Sequence, residues 1–393
     1  MKPFAFRISA IVCCLLAFQL TTTALLAQAA AEAKKEERPR GKGNFVPPPL
    51  SPEVNADHTV TFRLRAPNAH EVKVSGEWPK GTSDMTKDDK GVWSVTVGPL
   101  PPEIYGYGFV VDGLRMADQV NPNLKPMRSP TTSILEIPGD PPLLHEFQDV
   151  PHGTVSLHDY RSKSLGVLRH FRVYTPPGYE QNPTHRYPVL YLLHGSGDNE
   201  GTWTVMGRAN CILDNLIAQG KAKPMVIVMT DGHASAPNFT GVPSAGMISR
   251  NVEDYAKDLL GDVMPLAENR YRIMADRDHR AIVGLSMGGG QSLYVGLNNL
   301  DKFGWVGGMS SAARNGEAMA AGAIADPRVN QKLKLLWIAI GKDDGLLKAN
   351  EEFVAVLKQH HINHEFIVTE GNHSWPVWRK HLAQFAPLLF QPQ

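Results

Sequence analysis

The chain of 393 residues is long enough for two or three domains, since a domain commonly contains roughly 100–200 residues. Hydrophobic residues make up 42% of the sequence and charged residues 20%, which is typical of globular proteins and excludes a disordered or fibrous chain. The formal net charge of +1 gives no electrostatic basis for binding nucleic acid or an anionic membrane. A small-molecule or neutral ligand fits this balance better.

Residues 1–29 have the pattern of a secretory signal peptide. Basic residues precede the apolar run Ile8–Leu20, and Ala27-Gln28-Ala29 offers small residues at a cleavage site. The run is shorter than the roughly 20 residues that span a membrane, so an uncleaved anchor is the weaker alternative. Cleavage near Ala29 predicts a secreted or periplasmic protein with one cysteine, Cys211, which lies at helical spacing and is expected to be buried.

Residues 30–50 are predicted to form a linker, and residues 51–138 an all-β domain. The linker is first charged and then rich in glycine and proline. Apolar and polar residues then alternate in four short runs: Thr59–Arg65, Glu71–Ser75, Val92–Val97 and Tyr105–Val111. The last run ends at Asp112-Gly113, a dipeptide favoured in hairpin turns. Short strands without a helical period predict a small immunoglobulin-like β-sandwich.

Residues 139–393 are predicted to form an α/β domain. Nearly continuous apolar runs, as expected for buried parallel strands, occur at Tyr187–Leu193, Met225–Met229, Ala281–Leu285 and Leu335–Ile340. Helical patterns lie between and after them, at about 208–219, 253–268, 288–298 and 349–359. This alternation predicts one mostly parallel sheet flanked by helices.

The segment Gly284-Leu285-Ser286-Met287-Gly288 is the strongest chemical signal in the sequence. It matches the G-x-S-x-G pattern and lies between a buried strand and a helix. A serine on such a sharp turn crowds the backbone two residues to either side, and glycine relieves that crowding. The helix that follows favours a developing oxyanion. Ser286 is therefore predicted to be a catalytic nucleophile of an α/β-hydrolase fold.

Two backbone amides are candidates for the oxyanion hole. In α/β-hydrolases one donor is the amide after the nucleophile, here that of Met287, and the other comes from the loop after an earlier strand. The strand that ends at Leu193 is followed by His194-Gly195-Ser196-Gly197, so the Ser196 amide is the second candidate. His194 precedes Ser286 in the chain and is expected to be structural.

The remaining catalytic residues should follow Ser286 in the order acid, then histidine. The strand Leu335–Ile340 is followed by Asp343 and Asp344, and Asp344 is preferred because it lies further into the loop. One strand later, the loop after Glu365–Thr369 contains His373. We therefore predict a catalytic triad of Ser286, Asp344 and His373, with Asp343 as the alternative acid.

Two tryptophans are candidates for substrate binding. Trp203 follows the oxyanion loop, and Trp375 follows His373 by two residues. Both loops are expected at the carboxyl edge of the sheet, where α/β folds bind ligands, so the two rings could flank an aromatic acyl group or a sugar. The alternative is that they pack the loops. The histidines at 360, 361 and 364 lack acidic or cysteine partners, so neither a metal nor a cofactor is expected.

Two stretches resemble known families. "TFRLRAPNAHEVKVSGEW" and "MTKDDKGVWSVTVGPLPPEIYGYGFVVDG" resemble the early-set immunoglobulin-like module grouped with carbohydrate-binding module family 48. That resemblance implies glycan binding or a structural partnership with the catalytic domain. Trp93 is expected in the module's core, and Trp78 is expected to be exposed, where it could stack on a sugar.

The second resemblance covers about 154–390. "YPVLYLLHGSGDNEGTW", "RAIVGLSMGGGQSL", "GKDDGL" and "EGNHSWPVWRKHL" are similar to the "putative esterase" family, which includes carbohydrate esterase family 1, enterochelin esterases and mycolyltransferases. In that family the acid ends a G-x-x-D tetrad, which supports Asp344, and an oxyanion amide follows His-Gly, which supports Ser196. Where relatives often have "MPNGH", this chain has Met229-Thr-Asp-Gly-His233, a departure that bears on the substrate preference implied by the resemblance and not on the chemistry.

Together the two resemblances imply a secreted serine esterase that removes feruloyl or acetyl groups from plant polysaccharide such as xylan. The alternatives are a siderophore esterase of the enterochelin type, an acyltransferase of the same fold, and a non-catalytic glycan-binding protein. The expected partners are a small-molecule or polysaccharide-linked ester and, through the N-terminal module, a glycan.

Overall fold

A computed structural model of the chain describes residues 47–235 and 245–392. The predicted signal peptide and most of the predicted linker lie outside the described residues. From residue 49 onward the described chain forms a single unit that contains an all-β part followed by an α/β part. None of the helices in these two ranges combines the length and the apolar character needed to cross a bilayer.

The all-β part is a sandwich of two antiparallel sheets. Its strands are β1 (Glu53–Val54), β2 (Val60–Arg65), β3 (Val72–Gly76), β4 (Thr82–Asp84), β5 (Thr86–Lys87), β6 (Val92–Val97), β7 (Glu103–Val111), β8 (Leu114–Met116) and β9 (Ser133–Ile137). One sheet has the order β1-β2-β6-β5 and the other β4-β3-β7-β8, with β9 also paired to β7. The four alternating runs of the sequence become β2, β3, β6 and β7, which confirms the predicted sandwich.

The hairpin predicted at Asp112-Gly113 is present between β7 and β8. Both residues have positive φ, 46° and 87°, and Val111 pairs with Leu114 across the two-residue turn. Positive φ at both central positions is the requirement of a type I′ turn, which the twist of a hairpin favours and which aspartate and glycine tolerate.

Aromatic rings fill the space between the two sheets. Trp78 is only 2% exposed and stacks on Phe62 with ring centroids 5.5 Å apart. The expectation that Trp78 is exposed for sugar stacking is therefore wrong, because the ring turns into the sandwich from the end of β3. Trp93 is buried as expected, and its indole donates to the carbonyl oxygen of Ala66.

The α/β part is built on an eight-stranded sheet of order β10-β11-β13-β12-β14-β15-β16-β17. Its strands are β10 (Thr154–Arg161), β11 (Leu168–Thr175), β12 (Val189–Leu193), β13 (Val226–Thr230), β14 (Arg280–Gly284), β15 (Trp305–Met309), β16 (Leu335–Gly341) and β17 (Glu365–Thr369). Neighbouring strands in the series β13-β12-β14-β15-β16-β17 pair in parallel. At the other end of the sheet, β11 pairs antiparallel with both β10 and β13. The predicted mostly parallel sheet is confirmed.

Helices cover both faces of this sheet. They are α1 (Thr202–Val205), α2 (Ala209–Ala218), α3 (Ala245–Asp258), a π-helical turn (Leu259–Val263), α4 (Met264–Arg270), α5 (Met287–Leu297), α6 (Gly316–Met319), α7 (Ala321–Ala325), α8 (Val329–Lys332), α9 (Leu347–Gln359) and α10 (Trp375–Phe385), with 3₁₀ turns at Arg277–His279 and Ala386–Leu388. Cys211 is buried in α2, as its helical spacing predicts.

The all-β part shares a hydrophobic core with one face of the large sheet. Ile104 on β7 and Ile134 on β9 belong to the same buried cluster as Ile212 on α2 and Leu382 on α10. Burying such side chains contributes about 1.5–3 kcal/mol each relative to exposing them. The sandwich is thus packed onto helices of the α/β part, in addition to being joined to that part by the chain.

Three of the buried histidines, whose pKa values lie below the ordinary one, should make the protein less stable as the pH falls from about 6.5 towards 4. Burial lowers the pKa of His145 to about 3 and those of His233 and His381 to about 4. An unfolded histidine titrates near 6.5, so in this interval the unfolded chain binds more protons and acid favours unfolding. Each group should contribute a slope of up to about 1.4 kcal/mol per pH unit.

Urea unfolding at pH 7 and pH 5 tests this prediction. His381→Gln should lose less stability between the two pH values than the wild type, because one of the three buried histidines with a lowered pKa is gone. His170→Gln, at a side chain that is 54% exposed, serves as the control and should behave as the wild type does. An equal pH dependence in all three proteins would contradict the prediction.

Candidate active site

Ser286 lies on a strained turn between β14 and α5. Its φ of 53° and ψ of −115° are unusual for a residue with a side chain. A Cβ added to Gly284 would lie 2.4 Å from the carbonyl oxygen of Gly288, and one added to Gly288 would lie 2.4 Å from that of His194. Neither position can hold a larger residue, so the two glycines allow the turn that the G-x-S-x-G pattern predicts.

The structure brings Ser286, His373 and Asp344 together at the carboxyl edge of the sheet. His373 Nε2 lies 3.0 Å from Ser286 Oγ, and His373 Nδ1 lies 2.8 Å from Asp344 Oδ2. Asp343, the alternative acid, is exposed, and its backbone amide bonds to the carbonyl oxygen of Gly371. The geometry therefore favours Asp344 as the partner of His373.

Asp344 stays ionised because its hydrogen bonds outweigh its burial. Burial of its carboxyl group raises the pKa, but hydrogen bonds from His373, from the Leu346 amide and from the Ser310 hydroxyl lower the pKa of Asp344 below its ordinary value. Ser310 Oγ in turn accepts a hydrogen bond of 3.0 Å from the indole of Trp378. A carboxylate held in this way can orient the imidazole and stabilise its protonated form.

Ser310 and Trp378 are the site residues that sequence reasoning missed. Ser310 follows β15 at the same edge as Ser286, and the end of a buried parallel strand is the signal that could have found it. Trp378 lies one turn into α10, with its ring edge-on to His373 at a centroid distance of 4.9 Å. Its indole reaches the acid through Ser310, a link that sequence spacing does not reveal.

The two predicted oxyanion amides lie beside the nucleophile. Met287 is the first residue of α5, where backbone amides have no partner within the helix. Ser196 is exposed, and a Cβ added to its neighbour Gly195 would lie 3.3 Å from Ser286 Cβ, so this loop passes close to the serine. Both amides remain candidates for binding the oxyanion.

Two histidines connect the predicted oxyanion loop, His194 to Gly197, with the loop that follows β13. His194, buried as a structural residue should be, accepts a hydrogen bond of 2.9 Å from the Gly232 amide through Nε2. His233 Nε2 accepts one of 3.2 Å from the Gly197 amide. Burial and the neighbouring His194 lower the pKa of His233 to about 4, which keeps its imidazole neutral and able to accept that bond near neutral pH.

Trp203 and Trp375 do not face a substrate. Each side chain is 1% exposed, and their rings meet edge-to-face with centroids 5.0 Å apart. Trp203 Nε1 also donates to the carbonyl oxygen of Leu193 at 2.9 Å. The prediction that they bind substrate is wrong, because both loops turn these rings inward, and the alternative that they pack the loops describes the structure.

These rings are part of a longer aromatic chain. Trp375 meets Trp378 edge-to-face at 5.4 Å, and Trp378 meets His373. This series of ring contacts therefore extends from Trp203, in the first helical turn after the oxyanion loop, to the His373 imidazole beside Ser286. Edge-to-face pairs contribute roughly 0.5–1.5 kcal/mol each beyond the area they bury, so this stack ties the two loops together.

Among residues 47–235 and 245–392, no three His, Cys, Asp or Glu side chains are grouped so that they could bind a metal ion. A serine on a strained turn, a histidine in hydrogen-bonding range and a buried carboxylate are arranged as in serine hydrolases of the α/β-hydrolase class.

Comparison with known families agrees with this class. The profile of the Esterase family, described as "Putative esterase", matches residues 162–389, which include Ser286, Asp344 and His373. The chain belongs to this family. A second profile, carbohydrate-binding module 48 (isoamylase N-terminal domain), matches residues 49–123 of the all-β part.

Among individual proteins, an endo-1,4-beta-xylanase/feruloyl esterase of Xylanibacter ruminicola is 33% identical over 364 residues, which are 89% of this chain and 48% of that protein. An endo-1,4-beta-xylanase Y of Acetivibrio thermocellus is 25% identical over 257 residues, 58% of this chain and 22% of that protein. This chain thus spans about half or less of the length of these relatives.

Solved structures show the same fold. A CE1 ferulic acid esterase of the anaerobic fungus Anaeromyces mucronatus matches 63% of this chain and 94% of its own, with 25% identity and a TM-score of 0.55. The enterobactin esterase of Shigella flexneri matches 85% of this chain and 93% of its own, with 20% identity and a TM-score of 0.62. At that identity the second likeness concerns the fold alone.

The position of Asp344 predicts unequal effects of two adjacent substitutions. Asp344→Asn should lower kcat by about 10³–10⁴-fold on a small ester, because the amide cannot stabilise the protonated imidazole. Asp343→Asn, the matched control on the same loop, should retain most of the activity. Steady-state kinetics on p-nitrophenyl acetate measure both, and a reversed order would mean that the acid has been assigned to the wrong aspartate.

The burial of Trp203 predicts a loss that does not depend on the acyl group. Trp203→Ala should destabilise the protein by about 3–5 kcal/mol, as removal of a buried tryptophan commonly does. Activity on acetyl and feruloyl esters should fall by the same factor. Phe147→Ala, at a ring that is 73% exposed, should change neither property. A selective loss on the feruloyl ester at unchanged Tm would restore a substrate-binding role.

Proposed function

We propose that this chain is a secreted serine carboxylic-ester hydrolase that removes acyl groups, feruloyl or acetyl, from plant polysaccharide such as xylan. The observation that carries the proposal is the continuous hydrogen-bonded path from Ser286 Oγ through His373 to Asp344, at 3.0 and 2.8 Å. Both bonds lie within the range in which proton transfer is efficient.

The residues act as follows in this proposal. Ser286 Oγ attacks the ester carbonyl while His373 Nε2 takes its proton, and Asp344 stabilises the imidazolium. The amides of Ser196 and Met287 bind the oxyanion. When the tetrahedral intermediate collapses, His373 returns the proton to the leaving alcohol and an acyl-enzyme remains. Water, deprotonated by His373, then attacks the acyl-enzyme, and His373 returns that proton to Ser286 Oγ as the acid leaves.

The proposed substrate class is supported by the relatives. The Xylanibacter ruminicola relative carries the name of a xylanase and feruloyl esterase, and the fungal structure that is 25% identical is that of a ferulic acid esterase. The N-terminal match to a carbohydrate-binding module agrees with a polysaccharide-linked ester. Trp203 and Trp375 no longer support an aromatic acyl group, since both are buried.

We also propose how the chain is divided into segments. We assign residues 1–29 to a signal peptide, 30–50 to a linker, 51–138 to the carbohydrate-binding-like module and 139–393 to the esterase domain. The described strands support the boundary between residues 138 and 139, because β9 ends at Ile137 and the first strand of the large sheet begins at Thr154. Amino-terminal sequencing of the exported protein would locate the cleavage site, which we expect near Ala29.

Ser286→Ala tests the proposed function. It should lower hydrolysis at least about a thousand-fold while leaving the Tm unchanged, because the nucleophile is lost and the turn is kept. A fluorophosphonate probe should label the wild type at Ser286 and leave the variant unlabelled. The matched control is Ser94→Ala, on an exposed face of β6, which should retain both properties.

Release of free acid is then measured with p-nitrophenyl, feruloyl and acetylated-xylan esters, with and without an added acceptor alcohol. Release of free acid that is unchanged by the acceptor identifies a hydrolase, whereas a new ester would identify an acyltransferase. Turnover by Ser286→Ala close to that of the wild type would overturn the assignment of the nucleophile.

A further inference from the structure

The N-terminal module contacts the loop that carries His373. Glu77 follows strand β3, and its carboxylate accepts two backbone hydrogen bonds, one of 2.6 Å from the Gly106 amide of the module and one of 3.1 Å from the Trp375 amide. Trp375 is the first residue of α10 and follows His373 by two positions. A carboxylate at this end of a helix satisfies an amide that has no partner within the helix, and it interacts favourably with the helix dipole.

A buried ion pair fixes the same helix one turn later. Arg379 on α10 is 1% exposed, and its Nη2 lies 2.9 Å from Oε1 of Glu103, the first residue of β7. The guanidinium also donates to the carbonyl oxygens of Ile104 and Met206. Helix α10 is therefore bound to the module at two successive turns, directly behind His373.

A second segment of the module lies along the oxyanion loop. Met127 forms a β-bridge with Asp198, and the Arg128 amide donates to the carbonyl oxygen of Gly197 at 2.9 Å. Lys125 Nζ lies 2.7 Å from Oδ1 of Asp198, whose side chain is buried. The module thus contacts both loops whose positions decide catalysis, at points one to two residues from Ser196 and His373.

We propose that the N-terminal module is a positioning element of the active site, and that Glu77 is the positioning residue through which it holds the His373 loop. This inference rests on the proposed function. If the module positions the His373 loop, it affects the hydrolysis of every ester. This includes a small ester that could not contact a glycan-binding surface on the module at the same time as Ser286. A displacement of about 1 Å in a catalytic group can cost up to about 100-fold in rate, so a brace of this kind has a measurable effect.

Substitutions at Glu77 in the full chain test the proposal. Glu77→Met has a similar length and no acceptor, so it removes the hydrogen bonds to both the Gly106 and the Trp375 amides. We expect kcat for p-nitrophenyl acetate to fall about ten-fold at an unchanged KM, with kcat expressed per active site counted by fluorophosphonate titration. Glu77→Gln keeps one carbonyl oxygen that can accept from Trp375, and it should recover part of the lost kcat.

The matched control is Glu136→Met. Glu136 also belongs to the module and forms an ion pair across the same interface, with Arg208, but it contacts neither catalytic loop among the described residues. This variant should keep the kcat of the wild type. If both variants lower only the Tm or the fraction of titratable sites, the contacts serve stability alone and the inference is overturned.

Hydrogen exchange separates failure of the inference from failure of the proposed function. Glu77→Met should speed amide exchange over residues 371–378, whereas Glu136→Met should not. If the wild type hydrolyses esters and Glu77→Met matches it in kcat and exchange, the positioning role is wrong and the esterase assignment stands. If the wild type hydrolyses no ester, the proposed function fails, and with it the catalytic role given to Glu77.

Discussion

The buried ion pair between Arg379 and Glu103 is the constraint on which the arrangement of the two parts depends. Two charges removed from water at an interface require good geometry and further hydrogen bonds, and breaking such a pair commonly costs about 3–5 kcal/mol. Here the carbonyl oxygens of Ile104 and Met206 provide the additional acceptors. Few other placements of α10 against β7 would satisfy the guanidinium. Because α10 begins two residues after His373, the position of the imidazole is linked to the position of the module.

A second constraint, which is steric, acts at Ser286, the proposed nucleophile. Ser286 adopts a positive φ because the strand must turn into α5 within two residues, and Gly284 and Gly288 leave room for that turn. The hydroxyl is thereby raised above the sheet edge, where the loops after β16 and β17 bring Asp344 and His373 to it. Strain at one residue is sustained by hydrogen bonds around it, such as that from the Ser286 amide to the carbonyl oxygen of Met309.

Sequence reasoning predicted what depends on local pattern. Apolar runs predicted the buried strands β12 to β14, and spacing placed Ser286, Asp344 and His373 at one edge of the sheet. The two strands at one end of the sheet, β10 and β11, were missed because they alternate polar and apolar residues and pair antiparallel, unlike the buried runs beside them. The directions of Trp78, Trp203 and Trp375 were also beyond local pattern, since a tryptophan at a loop start can turn to solvent or to the core. Tertiary contacts decide that choice, as they decide that Glu77 meets Trp375.

The buried tryptophans and the module approach the same two loops from different sides. The edge-to-face chain from Trp203 through Trp375 and Trp378 reaches His373 from within the core. Glu77 meets the amide of Trp375 from the module, and Lys125 lies over the same indole, with Nζ 5.7 Å from the ring centroid. Trp375 is thus the point at which the aromatic chain and the module contacts meet. These contacts hold the Trp375 side chain in the core, which explains in physical terms why a tryptophan two residues from His373 supports the proposed site instead of lining it.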